Sequence, residues 1–262
     1  MAYANYAAYQ AALARGQWFS VCPSTAAVSA VLASGFRMAL PAPAIPSTAA
    51  VPGRLIDGAF GQPAGDWRLA KVRAVGSAAP SIVIIDRLSH QGGLSGTDVA
   101  AQTTNLPTAA LTRYTSGEGV HVGLEINTAI GTGGGTVTAS YTNTTPTASR
   151  TTEAVGFGIS SRSGAQIFVP LPLQSGDTGV VSVESVTLSG STGTAGNFGV
   201  VLYMPLSPPL PINNACDNHV DFEYDLFLRT GHLPLVLSDA CLSFLVAGPS
   251  ASPQVDVFLI PE

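Results

Sequence analysis

The chain has 262 residues, only 10% of them are charged, and its formal net charge is −5 at pH 7. Soluble domains usually contain about 25% charged residues, so small and uncharged side chains must form much of this protein's surface. The acidic balance and the single lysine, Lys71, argue against a nucleic-acid partner. No apolar run reaches the roughly 18 residues that a membrane-spanning helix needs, so no membrane partner is expected.

A surface of this kind loses little side-chain entropy when another protein covers it, because long flexible side chains are missing. The cores of protein interfaces are likewise poor in Lys and Glu. The composition therefore predicts that other subunits cover much of the surface. A GC-rich genome that favours Ala, Gly, Pro and Val would explain the same bias, and the two explanations do not exclude each other.

Residues 1–78 are predicted to form short helices followed by an extended arm. The first helix covers residues 2–15, and a second is predicted from Ser24 to Ala33. Five prolines between residues 40 and 66 favour an arm that wraps a partner or forms a surface loop. One stripe of the first helix supplies four candidate interface residues: Tyr3, Tyr6, Tyr9 and Leu13. The alternative is that this stripe packs on its own domain.

Residues 79–206 are predicted to form the core of a β-sandwich. A continuous apolar run at 81–88 predicts a central strand. The clearest pattern is a pair of alternating segments, 120–127 and 136–142, on either side of the turn Gly131–Gly135. Two such runs predict a hairpin with one buried face and one solvent-exposed (wet) face. On the wet face, His121 and Glu125 would form a surface salt bridge at most.

Further strands, separated by clusters of turn residues, complete the predicted sandwich. Two prolines restrict the segment 167–173 to a sheet edge or its end, and a slip in the alternation near Ser185 predicts a bulge. Residues 207–262 would complete the sandwich or pair with a neighbouring subunit. The fold class predicted is mainly β, an antiparallel, jelly-roll-like sandwich. The other predicted strands are 67–74, 154–159, 180–188, 198–204, 219–226, 240–247 and 255–260.

The strongest polar pattern lies in the tail, where four ionisable residues alternate along one predicted strand: His219, Asp221, Glu223 and Asp225. On a strand, their side chains would share one face at steps of about 6–7 Å. Carboxylates so arranged are able to hold Ca²⁺ or Mg²⁺, which makes these residues candidate metal ligands. The preferred interpretation is an ordinary solvated face. Arginines of a partner, or a hydrolase site that would need a cleft, are further alternatives.

No catalytic signature is found elsewhere in the chain. His90 precedes the glycine pair Gly92–Gly93, which favours a turn after the strand. Asp86 and Ser89 are close to His90 in sequence, but spatial geometry defines a catalytic triad, and no nucleophile-elbow motif occurs. The run Gly131–Gly135 lacks the Lys and Ser/Thr of a phosphate-binding loop. The sequence therefore predicts neither enzyme activity nor a cofactor.

Four segments in the middle of the chain carry a resemblance to a known class of protein. They are IDRLSHQGGLSGT (85–97), RYTSGEGVHVGLEINTAIG (113–131), PLPLQSGDTGV (170–180) and SVTLSGSTGTAGNFGVVLYMPL (185–206). Together they resemble virion structural proteins of tailed bacteriophages, over roughly residues 80–206, about half of the chain. The resemblance implies a particle component of β-sandwich type, and it does not fix the location within the particle.

The resemblance and the composition together predict a capsid decoration or cement protein that bridges and stabilises capsid subunits. Its expected partners are the major capsid protein and other virion subunits, and it is expected to form a homo-oligomer, with a trimer favoured. Its expected location is the virion, after assembly in the host cytoplasm. One alternative is a tail, collar or fibre-base component. Another is a carbohydrate- or receptor-binding sandwich, against which the positions of Trp18 and Trp67 outside the strand block weigh.

Overall fold

A 14-residue strand, Ser81–Leu94, runs through the centre of the fold and pairs with other strands on both of its edges. The structure is a computed structural model that describes residues 6–23, 33–34, 51–52, 65–75, 81–104, 106, 111–145, 150–211, 222–225, 233–247 and 254–262. Within these residues the chain is mainly β, its strand pairings are antiparallel, and one short helix, α1 (Tyr6–Leu13), precedes the first strand. These observations confirm the predicted fold class, and the finer jelly-roll order stays a prediction.

The strands of the described residues are numbered here in chain order. They are β1 (Gln17–Pro23), β2 (Ala33–Ser34), β3 (Val51–Pro52), β4 (Trp67–Val75), β5 (Ser81–Leu94), β6 (Gln102–Thr103), β7 (His121–Thr128), β8 (Thr136–Asn143), β9 (Arg150–Thr151), β10 (Val155–Gly156), β11 (Phe168–Leu171), β12 (Val180–Leu188), β13 (Asn197–Pro205), β14 (Leu210–Pro211), β15 (Phe222–Asp225), β16 (Leu235–Val236), β17 (Leu242–Ala247) and β18 (Gln254–Pro261).

These strands form three sheets. The large sheet has the order β11-β7-β13-β5-β17-β2, and β3 and β14 also pair with β5. The terminal sheet has the order β1-β18-β4-β15, with β16 paired to β4. The central sheet has the order β10-β8-β12-β6, with β9 paired to β8. The predicted central position of residues 81–88 is confirmed, as are the edge position of β11 and the bulge at Ser185 in β12.

Two hydrophobic cores lie on one face of the large sheet. Ile82 and Ile84 of β5 belong to the core under the terminal sheet, and Leu88 belongs to the core under the central sheet. These three side chains share a face because side chains alternate along a strand. Met204 of β13 packs against both cores. The protein therefore consists of a terminal half and a central half that share β5 and the large sheet.

The terminal half brings distant parts of the chain together. Strand β18 pairs with β1 on one edge and with β4 on the other, while β17 pairs with β5. The described tail strands therefore pair within their own chain. Strand β4 confirms the strand predicted at 67–74, whereas β1 was not predicted, so residues 1–78 contribute two full strands to the terminal sheet beside the helix. The predicted second helix lies outside the described residues except for Ala33, which is in β2, and most of the predicted arm also lies outside them.

The stripe of α1 packs on its own domain where its side chains are described, which is the alternative to the predicted interface. Tyr9 is 8% exposed and lies in the terminal core, and Leu13 packs against the same core. Tyr9 is therefore covered within its own chain, which corrects its predicted interface role, while Leu13 is half-buried and its interface role stays a prediction. Tyr3 lies outside the described residues, and of Tyr6 only its place in the helix is described.

The predicted hairpin between residues 120 and 142 is wrong. Strand β7 belongs to the large sheet and β8 to the central sheet, so the two face each other across the central core. Residues 129–135 carry the chain from one sheet to the other and do not form a tight turn. The expected wet face of β7 is also buried, and Glu125 is only 1% exposed. Of the two strands, only β8 shows the predicted alternation of burial: its odd-numbered residues are buried and its even-numbered residues are not.

The glycine pair at Gly92–Gly93 does not end its strand, contrary to the prediction of a turn. Strand β5 continues to Leu94, and its pairing with β13 shifts register between Gln91 and Leu94. Gly93 has a φ of 89°, a left-handed conformation that L side chains rarely adopt. The glycines therefore form a β-bulge, which bends the strand without breaking the sheet.

Candidate functional site

The outer surface of the central sheet is covered by hydroxyl side chains. Strands β8 and β12 place Thr142 opposite Ser182, Ser140 opposite Ser185, and Thr138 opposite Thr187. All six residues are half-buried, whereas the residues that alternate with them on β8 are fully buried. We call these three cross-strand pairs the hydroxyl face. The rows extend to Thr151 of β9 and Thr103 of β6, which pair with Ser140 and Ser185 respectively.

One charged residue of β12, Glu184, borders the hydroxyl face. Its Oε1 accepts hydrogen bonds from the hydroxyls of Thr142 and Ser182, each at 2.7 Å. A register shift between Val183 and Ser185 places this carboxylate at a bulge in the pairing with β8. Two hydroxyls hold this side chain in place, and its negative charge is the one that β8 and β12 place beside the face. The face therefore offers a neighbour many short hydrogen-bonding groups and few long charged ones.

Four loops meet at one end of the central half, next to the hydroxyl face, and we call them the apical loop cluster. They are residues 95–101, 129–135, 157–167 and 189–196. Thr192 lies at their centre and is 2% exposed. Its amide donates to the Gly96 carbonyl at 2.8 Å, and its hydroxyl accepts from the Gly131 amide at 3.2 Å. Backbone hydrogen bonds between the loops hold this end of the molecule in one shape.

The surface of the apical loop cluster is small, polar and nearly uncharged. Its charged residues are Asp98 and Arg162. Val99 and Ile159, which are 50% and 38% exposed, are two of the three exposed large apolar side chains in the described part of the chain. A rigid, charge-poor surface with exposed apolar side chains is typical of a protein-binding surface.

Two buried ion pairs start from neighbouring residues of β5, and sequence reasoning missed both. Asp86 accepts from Arg113 Nε at 2.9 Å and Nη2 at 2.8 Å, and both side chains are fully buried. Burial raises the pKa of the Asp86 carboxyl, while the hydrogen bonds and charge of Arg113 act in the opposite direction. On the other face of β5, Arg87 donates to both oxygens of Glu125, at 3.2 and 3.0 Å. Glu125 is therefore buried and pairs with Arg87, so its predicted place on an exposed face beside His121 is wrong.

A third polar cluster holds the loop after β11. Asp177 accepts from Arg150 Nε at 3.0 Å and Nη2 at 3.2 Å, from Asn143 Nδ2 at 2.8 Å, and from the Tyr141 hydroxyl. The hydrogen bonds from Arg150, Tyr141 and Asn143 lower the pKa of Asp177 to about 2. All its acceptor sites are engaged, so this carboxylate has a structural role and is not arranged as a catalytic base.

The candidate metal ligands are not brought together in the described residues. His219 and Asp221 lie outside them, and Glu223 and Asp225 lie in β15. In the backbone register, Glu223 is opposite Arg73 and Asp225 is opposite Lys71 of β4. Basic residues of the same chain thus stand at the positions across from these two acids. Within the described part of the chain, no group of three or more His, Cys, Asp or Glu residues is placed to hold a metal ion.

The two tryptophans occupy different environments in the terminal half. Trp67 is buried in the terminal core, whereas Trp18 is 43% exposed and lies 5.1 Å from the Phe258 ring, centroid to centroid. They do not form a common aromatic surface, and neither lies on the hydroxyl face. Asp86, Ser89 and His90 are buried in β5, and Asp86 is engaged by Arg113, so these residues form no open catalytic site.

Comparisons with known proteins add no relative. The chain matches no protein-family model, no curated protein and no solved structure. No helix among the residues that the structure describes is long and apolar enough to cross a membrane.

Proposed function

We propose that the protein is a non-enzymatic structural component of a tailed-phage virion, acting as a capsid decoration or cement protein. The observation that carries this proposal is the hydroxyl face, a half-buried sheet surface whose one bordering carboxylate is bound by its own neighbours. Such a surface loses little side-chain entropy on contact with another subunit. The continuous charge-poor surface of the apical loop cluster supports the same function.

The stabilisation would come from mass action. A protein that binds only the assembled shell, and not free capsid subunits, shifts the equilibrium towards the shell. A homotrimer would present three hydroxyl faces and three apical loop clusters at once. Binding at the second and third sites would then be intramolecular and tighter than a single contact. The partners proposed are the major capsid protein and further copies of this chain.

A tail, collar or fibre-base position would use the same surfaces, so the test must measure where the protein is and how many copies are present. We expect imaging of purified particles to find it on the capsid shell, and quantitative mass spectrometry to give a copy number close to that of the major capsid protein. A few copies per particle would support the tail or collar instead. Absence from purified particles would overturn the proposed function.

A further inference from the structure

The two halves of the molecule have separate cores but share one strand. Ile82 and Ile84 serve the terminal core, Leu88 serves the central core, and Asp86 lies between them on the same face of β5. Met204 is the apolar side chain that packs against both cores among the described residues. On this face of β5 the apolar contact between the halves is therefore thin, and a polar group stands at the boundary. On the opposite face, Phe168 and Tyr203 share a buried apolar cluster with Leu245 of β17.

An array of hydrogen bonds crosses this boundary at Asp86. Arg113, in the loop before β7, belongs to the central half and binds Asp86 with two nitrogens. Its Nη1 also donates to Asp239 Oδ2 at 3.3 Å, in the loop before β17 of the terminal half. The Cys241 amide, next to that loop, donates to Asp86 Oδ1 at 2.8 Å. One buried carboxylate thus binds groups from both halves at once.

The residue after Arg113 reinforces the connection. The Tyr114 hydroxyl donates towards the Leu235 carbonyl of β16 at 3.5 Å, while its ring packs against the central core. Its φ is 49°, a left-handed conformation that is uncommon for a residue with a side chain. The loop at 113–114 therefore adopts an unfavourable backbone geometry where it contacts the terminal half.

We propose that the buried hydrogen bonds among Asp86, Arg113 and Asp239 couple the folding of the two halves. If the central half unfolded alone, Arg113 would leave and Asp86 would remain as an uncompensated charge beside the terminal core. If the terminal half unfolded alone, Asp239 and the Cys241 amide would leave the array. Either partial state is thus disfavoured, and the two separate cores unfold as one cooperative unit. This inference does not depend on the proposed function.

The two tryptophans make the test direct, because Trp18 and Trp67 both lie in the terminal sheet. Tryptophan emission therefore follows the terminal half, and hydrogen exchange in peptides from β8 and β12 follows the central half. In the wild-type protein the two thermal midpoints are expected to coincide. In the double variant Asp86→Asn/Arg113→Met, which removes both charges and keeps an oxygen for the Cys241 amide, we expect them to separate by on the order of 5 °C.

The matched control is Arg87→Met/Glu125→Leu, which removes an equally buried ion pair from the other face of β5 but joins only strands of the large sheet. Its two midpoints should fall together. A milder variant, Asp239→Asn, alters a side chain that is 58% exposed and should fold, yet widen the gap between midpoints slightly. The proposal is overturned if the wild-type midpoints already differ, or if they stay coincident in both Asp86→Asn/Arg113→Met and Asp239→Asn.

Discussion

At Gly131, the chain passes so close to the loop after β12 that a β-carbon would lie 1.8 Å from the Thr192 carbonyl oxygen. Backbone atoms cannot yield as a flexible side chain does, so Gly131→Ala must push the apical loops apart. We expect it to lower the free energy of unfolding by about 1–3 kcal/mol, measured by urea denaturation.

Gly190 provides the control for this substitution. It lies in the apical loop cluster, but a β-carbon there would meet no atom within 4 Å. Gly190→Ala should change the free energy of unfolding by less than about 0.5 kcal/mol. Equal losses in the two variants would contradict the steric explanation.

The Asp177 cluster predicts a specific pH dependence. The folded-state pKa of Asp177, about 2, lies below its ordinary value of 3.8. Its contribution to stability is therefore complete above the ordinary pKa and is lost as the pH falls through the folded-state pKa. Asp177→Asn should lower Tm at neutral pH, and the gap to wild type should close between pH 3.8 and about 2 in a calorimetric series.

Arg150 is the partner that lowers the Asp177 pKa most. Arg150→Gln should therefore abolish much of the same acid dependence, although the carboxylate itself remains. If Arg150→Gln left the acid profile of the wild-type protein intact, the pairing of Arg150 with Asp177 would not be the cause.

Individual ion pairs were the least predictable part of the molecule. Glu125 alternates with apolar residues on β7, a pattern that predicts a solvent-exposed side chain. The face of β7 that carries Glu125 is nevertheless also buried. Its partner Arg87 is 38 positions away, and the strand between them, β13, is not recognisable as their neighbour from local pattern. Pairing across a sheet depends on strand order, which period-two alternation does not contain.

At the level of the elements, breaking the buried pair between β5 and β7 should carry a large penalty. Glu125→Gln would leave the Arg87 charge uncompensated in a site where both side chains are almost completely covered. We expect a loss of about 3 kcal/mol in the free energy of unfolding, because breaking one partner of a buried pair leaves the other desolvated.

An exposed pair provides the comparison. Arg68 and Glu262 form a salt bridge in which Glu262 is 39% exposed. Glu262→Gln should cost less than about 1 kcal/mol, since water replaces the lost partner. Urea denaturation of both variants checks the pair of predictions, and a similar cost for both would show that Arg87 is not effectively buried.

The positions of many strands could be predicted because their signals are local. Continuous apolar residues marked β5, prolines marked the edge strand β11, and a slip in alternation marked the bulge in β12. The sheet to which each strand belongs could not be predicted in the same way. The Gly131–Gly135 run resembles a hairpin turn in sequence, but it crosses between sheets, because both edges of β7 pair with other strands, β11 and β13.

For the whole molecule, the proposed function predicts that the hydroxyl face is needed for assembly and not for folding. Thr138→Lys and Thr187→Lys each place a long charged side chain on this half-buried surface. Covering that side chain would cost entropy and desolvation, so we expect at least tenfold less protein on particles in a co-sedimentation assay, with little change in Tm.

Gln10, which is exposed on α1, gives the control for charge alone. Gln10→Lys should leave particle binding unchanged. Full binding by both threonine variants would remove the hydroxyl face from the proposed interface.

Composition and alternation together predicted the fold class and the alternating burial of β8. They did not predict the division into two halves, because each half draws strands from distant parts of the chain. The apical loop cluster was seen only as a series of glycine-rich turns. Its common surface arises from the way the sheets bring four loops to one end.

The pairing of β4 with β18 also determines the order in which the halves can fold. Gln254 lies opposite Val75, so the terminal sheet joins residues that are far apart in sequence, whereas β8 and β12 are connected through a much shorter segment. Contacts between distant residues form late because they must first overcome loop-closure entropy. Pulsed hydrogen exchange during refolding should therefore protect β8 and β12 before β4 and β18, and the reverse order would show that the terminal half nucleates independently.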